Sequence, residues 1–278
     1  MKHLVLCVNY RKDEEAADFA SHVVSQPGFN GRVLVTSCST PESPRLLSPA
    51  EPNVLTIDAG ANLGYFGGAA YGLQAHLRDS ALPDWVLVSN TDVSFVDSRF
   101  FAGLDELEQE GAPAVVAPDI RLESPGLRPS TPTNQNPAME ARPSRHRLQL
   151  LLWASRWPIG YWAYENLTAF RWGVVNRISR AAERPNNGPR DVYAAFGACI
   201  VLHRSYFENG GTLRFGSFLF GEEIFVAETA RGLGLRTRYE PRLRLLHREH
   251  GTTGNVGAFR RQRYVHQSLK YLLDEVFD

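Results

Sequence analysis

Cysteine is scarce in this chain, and neither sign of charge is in excess. Only three cysteines occur in 278 residues, Cys7, Cys38 and Cys199. They are widely scattered and two sit inside apolar runs, which is neither metal-ligand spacing nor a disulfide framework. That usage points to reduced core thiols in a cytosolic protein. Thirty Lys and Arg stand against thirty Asp and Glu, which excludes a globally basic nucleic-acid binder while leaving room for a local basic patch. No apolar run reaches the ~18 residues of a membrane span. The short run from Leu4 to Val8 is followed by no small-residue cleavage site, so no signal peptide is expected. A chain of this length buries about three quarters of its unfolded surface and needs no staples. No internal repeat is visible.

What is present over residues 1–120 is an alternation of strand-like and helix-like text. Leu4 to Val8 has buried-strand length, and Asp13 is placed to cap a helix in which Ala16, Phe19, Ala20, Val23 and Val24 recur at helical spacing. Further apolar runs at 32–36, 54–57, 85–89 and 114–117 are separated by helical patterns at 69–77 and 99–110, with a Pro- and Ser-rich loop over 40–52. Strands without alternation, interleaved with helices, predict an α/β fold with a mostly parallel central sheet flanked by helices. Ligands of such sheets bind beyond the carboxyl ends of the strands. Downstream, 121–143 reads as loop, 192–202 as strand, 222–232 as an acidic helix, 235–239 and 243–247 as strands, and 256–273 as a final helix.

Chemistry-bearing residues gather where that rule points. Ser89-Asn90-Thr91-Asp92-Val93 ends the strand at 85–89 and leaves a carboxylate that can hold a hard cation through oxygen. Asn and Asp are also ordinary turn residues. The segment from Asp58 to Gly68 follows another strand, and its glycines at 60, 64, 67 and 68 offer exposed amides to a phosphate or nucleotide. Its spacing matches neither the dinucleotide fingerprint nor the P-loop. Glu222 and Glu223 open a helix, where acids also simply meet the helix dipole. His247 ends an apolar strand, a fixed position that suits a ligand and equally a hydrogen-bonded structural histidine.

Taken in order, Asn62-Leu-Gly-Tyr-Phe-Gly-Gly68, Asn90-Thr91-Asp92, Phe196-Gly-Ala-Cys-Ile-Val-Leu-His-Arg204, Phe218-Leu-Phe-Gly-Glu-Glu223 and His247-Arg-Glu-His-Gly-Thr-Thr253 carry a resemblance. They resemble the five motifs of inverting glycosyltransferases of the GT-A type, in the family 2 branch that includes bacterial rhamnosyl- and galactofuranosyltransferases. The resemblance covers nearly the whole chain. It implies a single GT-A domain (the nucleotide-diphospho-sugar transferase fold) over 1–278, with a nucleotide-sugar-binding half at 1–120, a loop and Trp/Arg-rich helical insertion at 121–190, and an acceptor and catalytic half at 191–278. It implies that Asp92 holds Mn2+ or Mg2+ on the donor diphosphate, with Asn90 and His247 as further metal contacts. Tyr10, Arg11, Asp58, Asn62, Gly64, Asn90, Thr91 and Asp92 would line the donor site. Phe196, Gly197 and Glu222 would face the acceptor, and Glu223 matches the catalytic base. The implied partners are a nucleotide-diphosphate sugar and a saccharide or lipid-linked saccharide of a surface polysaccharide, with no nucleic acid. The implied location is the cytoplasm, up to the inner face of the membrane.

Four differences from many relatives stand beside the likeness. The second strand, Val33 to Ser39, has no acid where relatives contact the base, and Asn90 replaces the first acid of the metal motif. Phe225 stands where a further acid is common, and Glu223 is one methylene longer than the usual Asp. They motivate a second reading, a non-catalytic nucleotide-sugar-binding or scaffold protein. A sugar nucleotidyltransferase would need a basic glycine-rich loop after the first strand, and Val8 to Asp13 contains no glycine.

Residues 142–184 hold four of the five tryptophans, and eight arginines against two glutamates. Indole rings among arginines suit a helix lying in a membrane interface. They equally suit aromatics that cover the sheet or form a contact between copies in a homo-oligomer, and Pro158 and Gly160 interrupt any long amphipathic run.

Overall fold

Along β1 (His3–Asn9) the side chains part by turns between two cores. Leu4 and Leu6 face one, Val5 and Cys7 the other, and all four are fully buried. Successive strand side chains point to opposite faces, so a strand apolar at every position must be covered on both. The computed structural model describes residues 1–39, 51–122, 134–163, 188–248 and 257–277, and shows that cover. The helix α1 (Asp13–Val24) buries Ala16, Phe19, Ala20 and Val23 on the Val5 side. After β2 (Gly31–Ser37) and β3 (Val54–Asp58), α2 (Tyr65–Asp79) buries Phe66, Ala69 and Leu73 on the Leu4 side. Each buried Val, Leu or Phe among them contributes about 1.5–3 kcal/mol by leaving water.

The chain continues through β4 (Trp85–Ser89), β5 (Val93–Phe95), α3 (Phe100–Gln109), β6 (Val115–Leu122), α4 (Arg145–Ala154), β7 (Arg190–Val192), β8 (Cys199–His203), the short α5 (Arg204–Glu208), α6 (Glu222–Gly232), β9 (Thr237–His247) and α7 (Ala258–Tyr271). A π turn, Leu272–Val276, extends α7. One nine-stranded sheet runs in the order β3-β2-β1-β4-β8-β6-β9-β5, with β7 beside β9. The first four strands are parallel, as the sequence predicts. Beyond β4 the sheet is mixed, because β8 runs antiparallel to both β4 and β6, and β5 and β7 antiparallel to β9.

Several elements differ from the sequence expectation, each for a local reason. The strand expected at 192–202 is two, β7 and β8, with the turn 193–198 between them. The two strands expected at 235–247 are one, β9. Its register against β6 shifts between Pro118 and Asp119, opposite Pro241, where neither proline can donate a ladder hydrogen bond. The three-residue β5 is too short to show a pattern. Asp13 does not cap α1; its carboxylate accepts from Asn9 Nδ2 at 2.5 Å, and Asn9 Oδ1 accepts from Lys12 N. Trp153, Trp157 and Trp162 do not cover the sheet but are exposed, whereas Tyr161 is buried. The loop expected at 40–52 falls mostly outside the described residues, as do 123–133, Trp172, Arg171, Arg177, Arg180, Arg184 and His250. Among the described residues no helix is long and apolar enough to cross a membrane.

Candidate active site

Strand pairing brings the first two site residues together. β5 begins at Val93, directly after Asp92, and pairs antiparallel with β9 so that Val93 lies opposite His247. Arg248 N donates to Asp92 O at 3.0 Å and locks the join. Residues 155 positions apart in sequence thus meet, with His247 Nε2 3.2 Å from Asp92 Oδ1 and both side chains buried. The pair is close but not aligned as a hydrogen bond, and neither Asp92 carboxylate oxygen has a hydrogen-bond partner among the described residues. On the far side of the ring, His247 Nδ1 lies 2.8 Å from Gln135 Oε1. An amide oxygen only accepts, so Nδ1 carries the proton and donates. Burial pushes the Asp92 carboxyl up, but His247 beside it prevails, and the net shift is below the usual carboxylate value.

The acid pair on α6 approaches the same place from the other side. Phe220 and Gly221 both take left-handed backbone (φ 69° and 92°) before Glu222 starts the helix, a strained approach for Phe220 of the kind that clusters at functional sites. Glu222 is buried and Glu223 half-buried. Glu223 Oε1 accepts from Gly197 N at 3.2 Å, and a Cβ on Gly197 would stand 2.7 Å from that same oxygen. Only glycine allows this carboxylate to lie against the turn before β8. Burial pushes both carboxyls up, and the charge of Glu223 takes Glu222 further, to about 8.

Residues 196–198 join the two corners. Gly197 O accepts from Tyr65 OH at 3.0 Å, Ala198 O accepts from Asn90 N at 2.8 Å, and the Phe196 ring meets the His247 ring edge-on at 6.1 Å. The Tyr65 hydroxyl is driven well above its usual range, first by burial and then by Cys199, Glu222, Glu223 and Asp92. One hydroxyl thus lies within electrostatic reach of the carboxylates of both corners.

The expected donor-site residues occupy the carboxyl edge of the parallel strands. Asp58 is exposed beside Ser37, and its Oδ1 accepts from Gly60 N at 2.8 Å. Arg11, at φ 60°, donates its amide to Ser39 Oγ, and its guanidinium lies 5.3 Å from the Tyr10 ring. Asn62 Oδ1 closes a turn onto Gly64 N, and the Thr91 hydroxyl donates to Glu15 on α1, so local structure occupies both. Gly64 has φ 73°, and a Cβ there would stand 1.9 Å from Phe218 O. Its glycine is required because the loop before α2 touches the loop before α6.

Sequence reasoning missed Tyr65, Gln135 and Asn136, whose Oδ1 accepts from Phe196 N at 2.8 Å. Tyr65 lies inside a motif that was read for its glycines. The run Asn134-Gln135-Asn136 lies in a stretch read only as loop, although three amides in a row are a polar signal that a solvent loop does not need.

A divalent cation fits the Asp92 corner. The buried carboxylate lacks a hydrogen-bond partner among the described residues and lies 3.2 Å from an imidazole nitrogen, a donor set of oxygen and nitrogen that Mn2+ accepts. Among the described residues no cluster of three or more His, Cys, Asp and Glu is present. Two side chains are enough where a substrate diphosphate and water complete the shell.

No protein-family model matches the chain. In sequence it is similar to an N-acetylglucosaminyl-diphospho-decaprenol L-rhamnosyltransferase of Mycobacterium tuberculosis, at 27% identity over 233 residues, which is 81% of this chain and 69% of that protein. It is also similar to the low-salt glycan biosynthesis hexosyltransferase Agl10 of Haloferax volcanii, at 25% identity over 82% of this chain and 61% of that protein. In structure it resembles GalNAc-T7 with UDP, GalNAc and Mn2+ (TM-score 0.54, 11% identity), covering 97% of this chain and 48% of the other. It also resembles the mannosyltransferase PcManGT of Pyrobaculum calidifontis with GDP-Man and Mn2+ (TM-score 0.50, 13% identity), covering 94% and 60%. The chain thus spans about half to two thirds of the length of these proteins. At such identities the structural likeness shows the fold, and that fold is GT-A.

Proposed function

We propose that the chain is a glycosyltransferase of the GT-A type that moves a sugar, with inversion, from a nucleoside diphosphate to a saccharide in surface-glycan synthesis. The acceptor hydroxyl attacks the anomeric carbon while the bond from that carbon to the diphosphate oxygen breaks. The acceptor proton passes to Glu223, and the nucleoside diphosphate leaves with the bonding electrons. Such a proton transfer needs a carboxylate within hydrogen-bond reach, and a raised pKa makes that carboxylate a stronger acceptor of the proton. Half-buried Glu223 has an access that its buried neighbour Glu222 lacks. Burial keeps Glu223 basic, and Glu222, with Phe196 and Gly197, shapes the acceptor side.

Asp92 and His247, with Asn90 beside them, would hold a divalent cation that supplies Lewis-acid stabilisation to the leaving diphosphate. Tyr10, Arg11, Asp58, Asn62, Gly64 and Thr91 form the edge against which the nucleoside rests. Asp58, on the strand next to Ser37, offers the base an acid that the second strand lacks. The rhamnosyltransferase relative's name points to a lipid-linked acceptor, and the reading places the work at the inner face of the membrane that carries it. The halves 1–120 and 191–278 then divide donor from acceptor. The supporting observation is that residues 197 and 198 bond to Glu223 on one side and to Asn90, two residues from Asp92, on the other.

The test is release of nucleoside diphosphate from a panel of UDP-, dTDP- and GDP-sugars with Mn2+. Glu223→Gln is expected to lower turnover by about 10²–10⁴-fold, the usual worth of a general base, with donor affinity unchanged by calorimetry. Equal rates for variant and parent would remove Glu223 from the mechanism. Nucleotide binding without turnover of any donor would instead assign the non-catalytic role.

A further inference from the structure

The three most exposed large apolar side chains among the described residues are Ile159, Phe259 and Trp153, at 81, 74 and 70%. They come from two distant stretches of chain that one surface brings together. On α4 Arg147, Leu150, Trp153 and, just beyond the helix, Trp157 recur every three or four residues, a spacing that lines one helical face. The opposite face buries Leu148. The helices α4 and α7 run antiparallel. Arg145, at the start of α4, donates to Leu273 O and Phe277 O beyond the end of α7. Ser155, after the end of α4, meets His266 at 3.0 Å and Gln262. That pairing sets Phe259, one turn before Gln262 on the same face, at the end of α7 that meets the end of α4.

Charge on this surface departs from the rest of the molecule. The chain as a whole is balanced, yet neither 142–163 nor 257–271 contains a single Asp or Glu. Arg147, Arg260 and Arg263 are exposed and join no ion pair among the described residues, and the Arg156 guanidinium lies 6.0 Å from the Trp157 ring. Exposed indoles ringed by unpaired arginines are apolar in the middle and cationic at the rim. A two-fold contact between copies would set this rim against itself, cation to cation. A negatively charged bilayer matches both parts.

We infer that the exposed face of α4 and α7 docks on an anionic lipid bilayer, with Trp153, Trp157, Ile159 and Phe259 entering the headgroup boundary and Arg147, Arg156, Arg260 and Arg263 meeting lipid phosphates. Its purpose rests on the glycosyl-transfer reading above. The other side of α7 packs on the loop that leads to the acid pair, with the Tyr264 ring 4.9 Å from Phe218 and Ser268 Oγ donating to Phe220 O. A protein seated this way holds its acceptor side beside the membrane that carries a lipid-linked saccharide.

Sedimentation of the full chain with vesicles of phosphatidylcholine alone, or of phosphatidylcholine with phosphatidylglycerol, tests the docking without any donor. The expected result is binding to the anionic vesicles only, weakened by salt. Arg147→Glu with Arg260→Glu should cut partition by about tenfold or more, since each cation near such a surface carries about 1 kcal/mol. Trp153→Ala with Trp157→Ala should reduce it comparably, because both side chains are exposed and their truncation leaves the core intact. Release of nucleoside diphosphate with water as acceptor, measured on the same proteins, should be unchanged. Parent protein that ignores anionic vesicles, or variants that bind them as the parent does, would overturn the assignment whatever the turnover. So would a dimer that the tryptophan variant dissociates, which would give this face to a second copy. Vesicle binding by a parent that turns over no donor would uphold the docking face while removing the glycosyl-transfer reading.

Discussion

The two acidic corners of the candidate site are built from the same functional group and pushed in opposite directions. At the end of β4 a buried aspartate is held below its usual value because an imidazole lies 3.2 Å away. At the start of α6 two adjacent glutamates are pushed above theirs by burial, with the charge of Glu223 adding to the rise at Glu222. The helix N-terminus, which favours negative charge by about 0.3–1 kcal/mol, is too weak to reverse this. A carboxylate kept ionised suits the holding of a cation, and a carboxylate made more basic suits the taking of a proton. Environments that split like groups in this way mark the division of labour in an active site.

The most severe way to break the comparison is to remove the charge at the first corner while keeping its shape. Asp92→Asn should lower turnover by about 10²–10³-fold, as losing one electrostatic contact to a developing charge does. It should also abolish the Mn2+ dependence of nucleotide binding in calorimetry. Affinity that ignores both the metal and the substitution would rule out the cation role. A milder intervention displaces the second corner without touching its acids. In Gly197→Ala the new methyl would stand 2.7 Å from Glu223 Oε1, so the carboxylate must move. Turnover should fall by about ten- to a hundredfold, the cost of misplacing a catalytic group by an ångström or so. Donor affinity should hold, because the substitution lies on the Glu223 side of the turn. A variant as fast as the parent would show that the position of Glu223 is not critical.

The contrast in legibility follows the contrast in architecture. The parallel half was readable because β1, β2 and β4 are buried on both faces and so appear as unbroken apolar runs between helical patterns. The mixed half was harder. β5 is three residues long, β9 is interrupted at Pro241, and the turn 193–198 separates two strands that sequence reasoning joined. For the site, acids at strand and helix ends were visible by type and place. Their convergence was not, since it depends on the β5–β9 register and on one peptide at Gly197. Tyr65 and Gln135 were missed for the same reason: each matters only through a partner that pairing brings near, 132 residues away for Tyr65 and 112 for Gln135. Trp153 and Trp157 are visible by composition, but whether they face in or out requires the register of Leu148 against the core.

The smallest expected effect sharpens the comparison through stability rather than rate. A carboxyl whose folded-state pKa is raised binds its proton more tightly in the native protein than in the unfolded chain. Its contribution to stability is therefore fully present below the ordinary glutamate value and is lost as pH rises through the folded value. For Glu222 that window runs from about 4.5 to about 8. The parent should lose thermal stability across it, since at the upper end a second negative charge must sit buried beside Glu223. Glu222→Gln keeps the size and the neutral form but removes the titration, so its advantage over the parent should grow with pH. Each kcal/mol restored should appear as roughly 2–4 °C in Tm. Melting curves of the two proteins at pH 5 and pH 9 decide the point. A gap that stays constant across that range would mean Glu222 titrates as an ordinary surface carboxylate, and the proposed split between the two corners would reduce to the low value at Asp92 alone.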